Sequence, residues 1–291
     1  MLTYTIISGL LFGLFCSLMG IGLNLIFGVM RFVNLAHGDF LMLGAFGAYF
    51  AYTFWGLSPA LALVVEIIVM IAIGALIYYA FVPRLLRSRD PEMLSLIFFF
   101  GISQIIQAIA VIAFSNNPRS IVWSALGSAN YQVLGQGFQE SWVVSALISA
   151  IVIALVYVYL YHTKIGYATR AVMGSQEEAA SSGINVHRVS AIAMGIGLAL
   201  ASAAGTLSPF LLGSITPNMG SDITTTSFSI IIIGSLGNPL GTVLGGLIYG
   251  LSSMFMQSYV PSWANLVPYL LLFLILLFKP SGLLGKVVRH A

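Results

Sequence analysis

Charge is what this sequence has least of. Of its 291 residues, 11 are Lys or Arg and 8 are Asp or Glu, where a soluble chain at about 25% charged would carry roughly 73. A protein folded in water needs a solvated polar face on nearly every element, and 7% charge cannot supply one. A soluble enzyme, a nucleic-acid binder and a disordered chain are excluded together. Cysteine is almost missing too: Cys16 stands alone in an apolar run, so no intramolecular disulfide can form and a thiolate metal cluster has no basis. There is no Gly-x-x-x-x-Gly-Lys-Ser/Thr loop, no His-Glu-x-x-His and no Gly-x-Ser-x-Gly. His37, His162 and His187 show no metal-ligand spacing. The chain therefore cannot use ATP by itself.

What is present is long apolar sequence. Residues 1–30, 40–65, 93–118, 141–163, 189–221 and 223–278 carry no charged side chain, and about 20 apolar residues cross a bilayer as a helix. The fold class expected is all-α: a polytopic integral membrane protein with 8–10 transmembrane helices, allowing for inverted repeats and discontinuous helices. Turn residues place nine spans near 5–30, 40–55, 59–82, 93–114, 141–161, 189–213, 223–236, 241–260 and 263–278. The first has no basic leader and exceeds the usual 7–15 apolar residues of a signal peptide, so it reads as a retained helix. With this count, Arg31, Arg84, Arg87, Arg89, Lys164, Arg170, Arg188, Lys279, Lys286 and Arg289 fall on one side and Arg119 on the other. The positive-inside rule makes the first side, with the C-terminus, cytoplasmic.

Small residues recur four apart: Gly9, Gly13 and Ser17; Gly44 and Ala48; Gly197, Ala201 and Gly205; Gly241 and Gly245; Gly246 and Gly250. Such stripes let helices approach closely in lipid, and a pore wall would look the same. Polar residues interrupt the apolar sequence at Arg31, Asn34, His37 and Asp39. They read as a cytoplasmic turn, with Asp39 capping the following helix, and as a broken helix facing a translocation cavity, two readings that do not exclude each other. A fainter echo, Asn218-Met219-Gly220-Ser221-Asp222 followed by Thr224, Thr225 and Thr226, falls on the opposite side, as an inverted repeat would require. Glu66 lies inside a span, as a proton- or cation-coupling group or a packing hydrogen bond. In the connection 163–188, a helical wheel puts Ala168, Ala171, Val172, Ser175 and Ala179 in one weakly apolar stripe opposite Arg170 and Glu177, a face on which a soluble partner could dock.

Three stretches carry a family resemblance: GLNLIFGVMRFVNLAHGDFLMLGA, TKIGYATRAVMGSQEEAASSGINV, and IIIGSLGNPLGTVLGGLIYG followed by LLFKPSGLLG. In this order they resemble the permease subunits of branched-chain amino acid ABC importers, a family whose members also serve urea and amides. The resemblance covers nearly the whole chain and implies a single permease domain, 1–291. The partners it implies are a second homologous permease, two cytoplasmic ABC ATPase subunits, an extracytoplasmic substrate-binding protein and the lipid bilayer. No cofactor is expected on this chain, since ATP and Mg would be held by the ATPases. The segment 163–188 would be the coupling loop, with Arg170, Glu177, Glu178, Ala179, Ala180 and Gly183. The general importer pattern has three residues between Glu-Ala-Ala and Gly, whereas this chain has two. The Gly-Gly-Leu-Gly usual in the late turn is here Gly234-Ser235-Leu236-Gly237. Asn34, His37, Gly38, Asp39, Gly44, Asn218, Thr224, Thr225, Gly234 and Gly237 are the expected translocation path. Outside that reading stand an ion-coupled carrier using Glu66 or Asp39, a passive channel, and an importer of the same family for urea or amides.

Overall fold

Two long helices rich in small residues form the centre. They are α1 (Leu2–Met30) and α8 (Val186–Leu212), and most of their residues are buried. They cross where Gly22 meets the Gly197 carbonyl, and they run antiparallel, since Phe12 of α1 and Leu212 of α8 line one cavity. Around them lie α2 (His37–Trp55), α3 (Pro59–Leu86), α4 (Pro91–Phe114), α5 (Glu140–His162), α9 (Met219–Gly234), α10 (Pro239–Tyr259) and α11 (Val267–Phe278). A two-stranded antiparallel ribbon, β1 (Asn130–Val133) and β2 (Gln136–Gln139), precedes α5. Two short helices, α6 (Lys164–Gly174) and α7 (Gln176–Ser181), separate α5 from α8. This computed structural model describes residues 1–121, 123, 130–133 and 135–285; Lys286 and Arg289 of the expected basic end lie outside them.

Seven helical segments among the described residues are long and apolar enough to cross a membrane: α1, α3, α4, α5, α8, α10, and Pro261–Phe278, which joins a 3-10 turn to α11. The chain is thus an all-α, multi-pass membrane protein. The other two expected spans correspond to α2, which begins with His-Gly-Asp, and α9, which has only 16 residues. The expected start at residue 40 moves back to His37, so His37, Gly38 and Asp39 form the first turn of the helix while Arg31 and Asn34 precede it.

Contacts among these helices repeat. Against α10, α1 packs Gly9 and Gly13 on Leu251 and Leu247, and Ser17 on Gly246; α3 packs Gly74 on Gly195 of α8. The starts of α2 and α9 meet at Gly38 and Gly220. Exchanging α1, α2 and α3 for α8, α9 and α10 therefore reproduces the pairing, and the antiparallel central pair makes it inverted. Without a water-driven hydrophobic force between helices in lipid, close backbone approach supplies the packing energy.

One end gathers the basic connections. Arg31 donates to the Met173 carbonyl at 2.6 Å, Gln176 to the Val29 carbonyl at 2.6 Å, and Tyr78 near the end of α3 meets His187 at 3.0 Å. The backbone N–H groups of Leu283 and Leu284 reach the carbonyls of Ile233 and Gly234 beside it. At the opposite end, Arg119 donates to the Tyr49 hydroxyl and the Phe114 carbonyl, and its backbone pairs with Ile215 ahead of α9.

Candidate translocation site

The bundle is broken where α2 and α9 begin. Most helices that start at an end carry their own cap: Ser58 before Pro59, Asp90 before Pro91, Asn185, and Asn238 before Pro239 each accept a backbone N–H of the first turn. The N-caps of α2 and α9, Ala36 and Asn218, make no side-chain cap bond. For α2 the partner comes from α9 instead. The Thr224 hydroxyl accepts from the Gly38 N–H at 2.9 Å and donates to the Gly220 carbonyl of its own helix at 2.9 Å, with the Leu35 carbonyl 3.3 Å away. A Cβ on Gly38 would strike the Gly220 carbonyl and Thr224, and one on Gly220 would strike the Asp39 carboxylate. The faint sequence echo is therefore a physical contact, with a glycine at the second helical position on each side.

Of the two readings of Asn34–Asp39, the structure favours the broken helix. His37 reaches the Met19 carbonyl, in the middle of α1, at 3.0 Å, so the chain turns back into the bundle after Arg31. Asn34, His37 and Asp39 are all fully buried. Asp39 caps nothing of its own; it accepts a 2.9 Å bond from Gln107 of α4, which also donates to Ser103. That burial keeps Asn34, His37 and Asp39 out of solvent, while Arg31 stays exposed at the turn that leads into them. Glu66 accepts through Oε2 from Ser202 at 3.0 Å and Thr206 at 2.6 Å, while its buried Oε1 lies against Gly47 with no hydrogen-bond partner among the described residues.

Beside this junction, away from the basic end, a cleft opens between α1, α9, α10 and α11. A polar compartment of about 330 Å³ is walled by Asp222, Thr225, Thr226, Tyr249, Gln257 and Asn265, among others. An apolar compartment of about 260 Å³ reaches inward to Phe15, Cys16, Met19 and Ile223. Asp222, Thr226 and Tyr249 belong to both walls. Thr225 is the expected path residue that lines the cleft; Thr224 is buried at the junction and Asn218 is exposed at the foot of α9. Gly44, Gly234 and Gly237 are not brought to it. Gly44 abuts Ser202, Gly234 abuts Gly241, and Gly237 takes a left-handed φ of 75° beside Gly28. Asn24 fastens that last turn, accepting from the Gly237 N–H and donating to the Asn238 carbonyl. Tyr249, Ser253 and Gln257 also line the polar compartment, and their spacing of four inside an apolar span is the sequence signal for one wet helix face.

At the basic end, α6 and α7 differ from the helical-wheel expectation. Val172 and Ala179 of the small stripe are buried against the chain itself, while Ala171 stays exposed. The wheel finds the apolar face correctly; the bundle covers most of it. Arg170 is also turned inward, donating to the Leu160 carbonyl at 3.0 Å and lying over the rings of Tyr161 and Tyr167. The surface left open carries Glu177, Glu178, Ala180 and Gly183, the last with a φ of 81° at the end of α7.

Comparisons with known proteins identify the family. Residues 5–276 match the family described as branched-chain amino acid transport system / permease component. The chain belongs to this family. It is 25% identical over 295 residues to the high-affinity branched-chain amino acid transport system permease protein BraD of Pseudomonas aeruginosa, covering 97% of this chain and 95% of that protein. To the probable branched-chain amino acid transport permease protein LivH of Methanocaldococcus jannaschii it is 28% identical, covering 92% of this chain and 88% of that protein. To LivM of the same organism, also described as a probable branched-chain amino acid transport permease protein, it is 24% identical, covering 65% of this chain and 60% of that protein. No solved structure matches the chain.

Proposed function

We propose that this permease is one of two homologous membrane subunits of an ATP-driven importer that carries branched-chain or related neutral amino acids across the plasma (inner) membrane. The match over residues 5–276 carries this reading. In it the basic end faces the cytoplasm, where two ABC ATPase subunits hold ATP and Mg, and an extracytoplasmic binding protein delivers cargo to the other end. Two relatives from one organism, LivH and LivM, support a pair of different permeases.

The route for force starts at the open surface of α7. Motion of α6–α7 pulls on the end of α1 through the Arg31–Met173 and Gln176–Val29 bonds. Arg31 itself sits at a left-handed φ of 59°, where the chain reverses toward α2. A shift there moves the start of α2, and with it α9, because the two starts are joined through Gly38 and Thr224. Cargo moves past this junction when it opens.

The test is uptake of radiolabelled leucine into vesicles holding this chain with its partner permease, ATPases and binding protein, compared with assemblies lacking the ATPases. Accumulation only in the complete assembly supports the reading; gradient-driven uptake without ATPases would replace it with a carrier. Gly183→Val strains a left-handed position by about 1 kcal/mol or more, and Glu178→Lys reverses an exposed charge on the same surface. Both are expected to leave membrane insertion intact and to separate ATP hydrolysis from uptake. Normal transport by both variants would overturn the coupling assignment.

A further inference from the structure

We infer that the cleft between α1, α9, α10 and α11 is a cargo site of the permease itself, selecting a small molecule that has a cationic polar head and an aliphatic tail. This rests on the importer reading, which already supplies the class of cargo, and adds to it where the cargo is held and which side chains meet its head and its tail. The proposal stands on the two-part wall. Asp222 is the one charged residue lining either compartment, and it makes no ion pair among the described residues. Around it stand uncharged donors and acceptors: Thr225, Thr226, Gln257 and Asn265. Tyr249 is buried and borders both compartments, so its ring stands between them. Behind this rim the wall turns apolar, with Phe15, Cys16, Met19 and Ile223.

A carboxylate in the first turn of a helix is favoured by the helix dipole wherever it occurs, so Asp222 alone would mean little. Its position at the seam between a polar and an apolar cavity gives it a ligand-directed role. An α-ammonium at Asp222 forms a charge-assisted contact, a carboxylate is met by neutral hydroxyl and amide donors, and a branched aliphatic side chain fills the inner compartment. Each compartment is at or just below the lower end of the ~300–1,000 Å³ range of small-molecule sites. Urea and short amides lack both the cationic head and the tail, so the wall disfavours them. Only one charge contributes, and the contact faces water, so the hold is weak. A conduit has to release what it binds, and a weak hold suits it.

The complete transporter in vesicles tests this, with leucine and valine delivered by the same binding protein and with ATP hydrolysis measured alongside uptake. Asp222→Asn is expected to lower leucine uptake about tenfold, the order of one charge-assisted contact, with binding-protein-stimulated ATP hydrolysis retained; Asp222→Glu recovers part of the uptake. Ile223→Phe narrows the apolar compartment and is expected to shift the valine-to-leucine uptake ratio about threefold or more toward valine. Uptake and ratio unchanged in both variants would overturn the site while leaving the importer reading in place. Equal loss of ATP hydrolysis and uptake in Asp222→Asn would make Asp222 a structural or coupling residue and overturn the site as well. Absence of amino-acid accumulation by the unaltered assembly would overturn the importer reading itself.

Discussion

Helices that start at the ends of this bundle and the two that start inside it solve the same problem differently. Every helix leaves its first N–H groups without intrahelical partners. At the ends, α3, α4 and α10 answer with one local device, a capping side chain followed by proline. Inside, α2 and α9 have no such device, and the Gly38 N–H is satisfied by a hydroxyl 186 residues away in sequence. A local cap makes a helix start autonomous. A shared one makes two starts a single mechanical unit, so neither α2 nor α9 can move alone without exposing a buried polar group.

The strongest way to break this unit is to deny the close approach. Gly38→Val puts a branched side chain against the Gly220 carbonyl and the Thr224 backbone, neither of which can rotate away. Overpacking typically costs about 1–3 kcal/mol, and with backbone on the far side the upper end is expected: loss of uptake and a clear drop in thermal stability of the detergent-solubilised protein. Gly101→Ala in α4 is the control, because nothing lies within 4 Å of its added Cβ. There the helix gains up to about 1 kcal/mol from propensity alone, and uptake should be unchanged. Equal damage from both would mean that glycine at the junction has no special role.

Thr224→Val sharpens the same comparison at smaller cost. It keeps the shape and removes the acceptor, leaving the buried Gly38 N–H unsatisfied for about 1–3 kcal/mol. Thr224→Ser restores the oxygen and should recover most of both stability and uptake. Recovery of stability without uptake would assign the hydroxyl to gating as well as to folding.

The part of this architecture that can be read from sequence is the part set by local chemistry. Charge gaps locate the spans, Ser58-Pro59, Asp90-Pro91 and Asn238-Pro239 mark helix starts, and the basic connections fall together at one end. What depends on partners distant in sequence is harder. The polar run Asn34–Asp39 fits a solvated turn and a buried break equally well until Met19, Gln107 and Thr224 are seen beside it. Small-residue stripes are ambiguous in the same way, since a glycine that admits a neighbouring backbone and one that widens a path have identical periodicity. Gly44, Gly234 and Gly237 turn out to be close-packing or turn positions. The stripe of α6–α7 shows the converse: its apolar periodicity is real, yet the surface is already used, because Val172 and Ala179 face the chain's own bundle. The polar face of α10 is different again. Tyr249, Ser253 and Gln257 follow a rule as local as any cap, and they stand on the cleft.

The smallest effect is expected where a start stands alone. Ser58 accepts from the Leu61 N–H through an exposed 3.4 Å bond, with Pro59 already holding the first turn in place. Ser58→Ala should therefore cost about 0.5–1 kcal/mol, near the low end for an N-cap, seen as a small fall in melting temperature. Because α3 begins at the surface and its carboxyl contact at Glu66 lies more than a turn further on, neither the junction nor the cleft should register the change. Uptake should match the unaltered protein at equal membrane abundance. The informative quantity is the ratio of transport loss to stability loss: near zero for Ser58→Ala and large for Thr224→Val if interior starts move together during transport. Similar ratios at the two sites would show that α2 and α9 are merely packed against each other, and the shared cap would then be a folding contact with no part in opening the path.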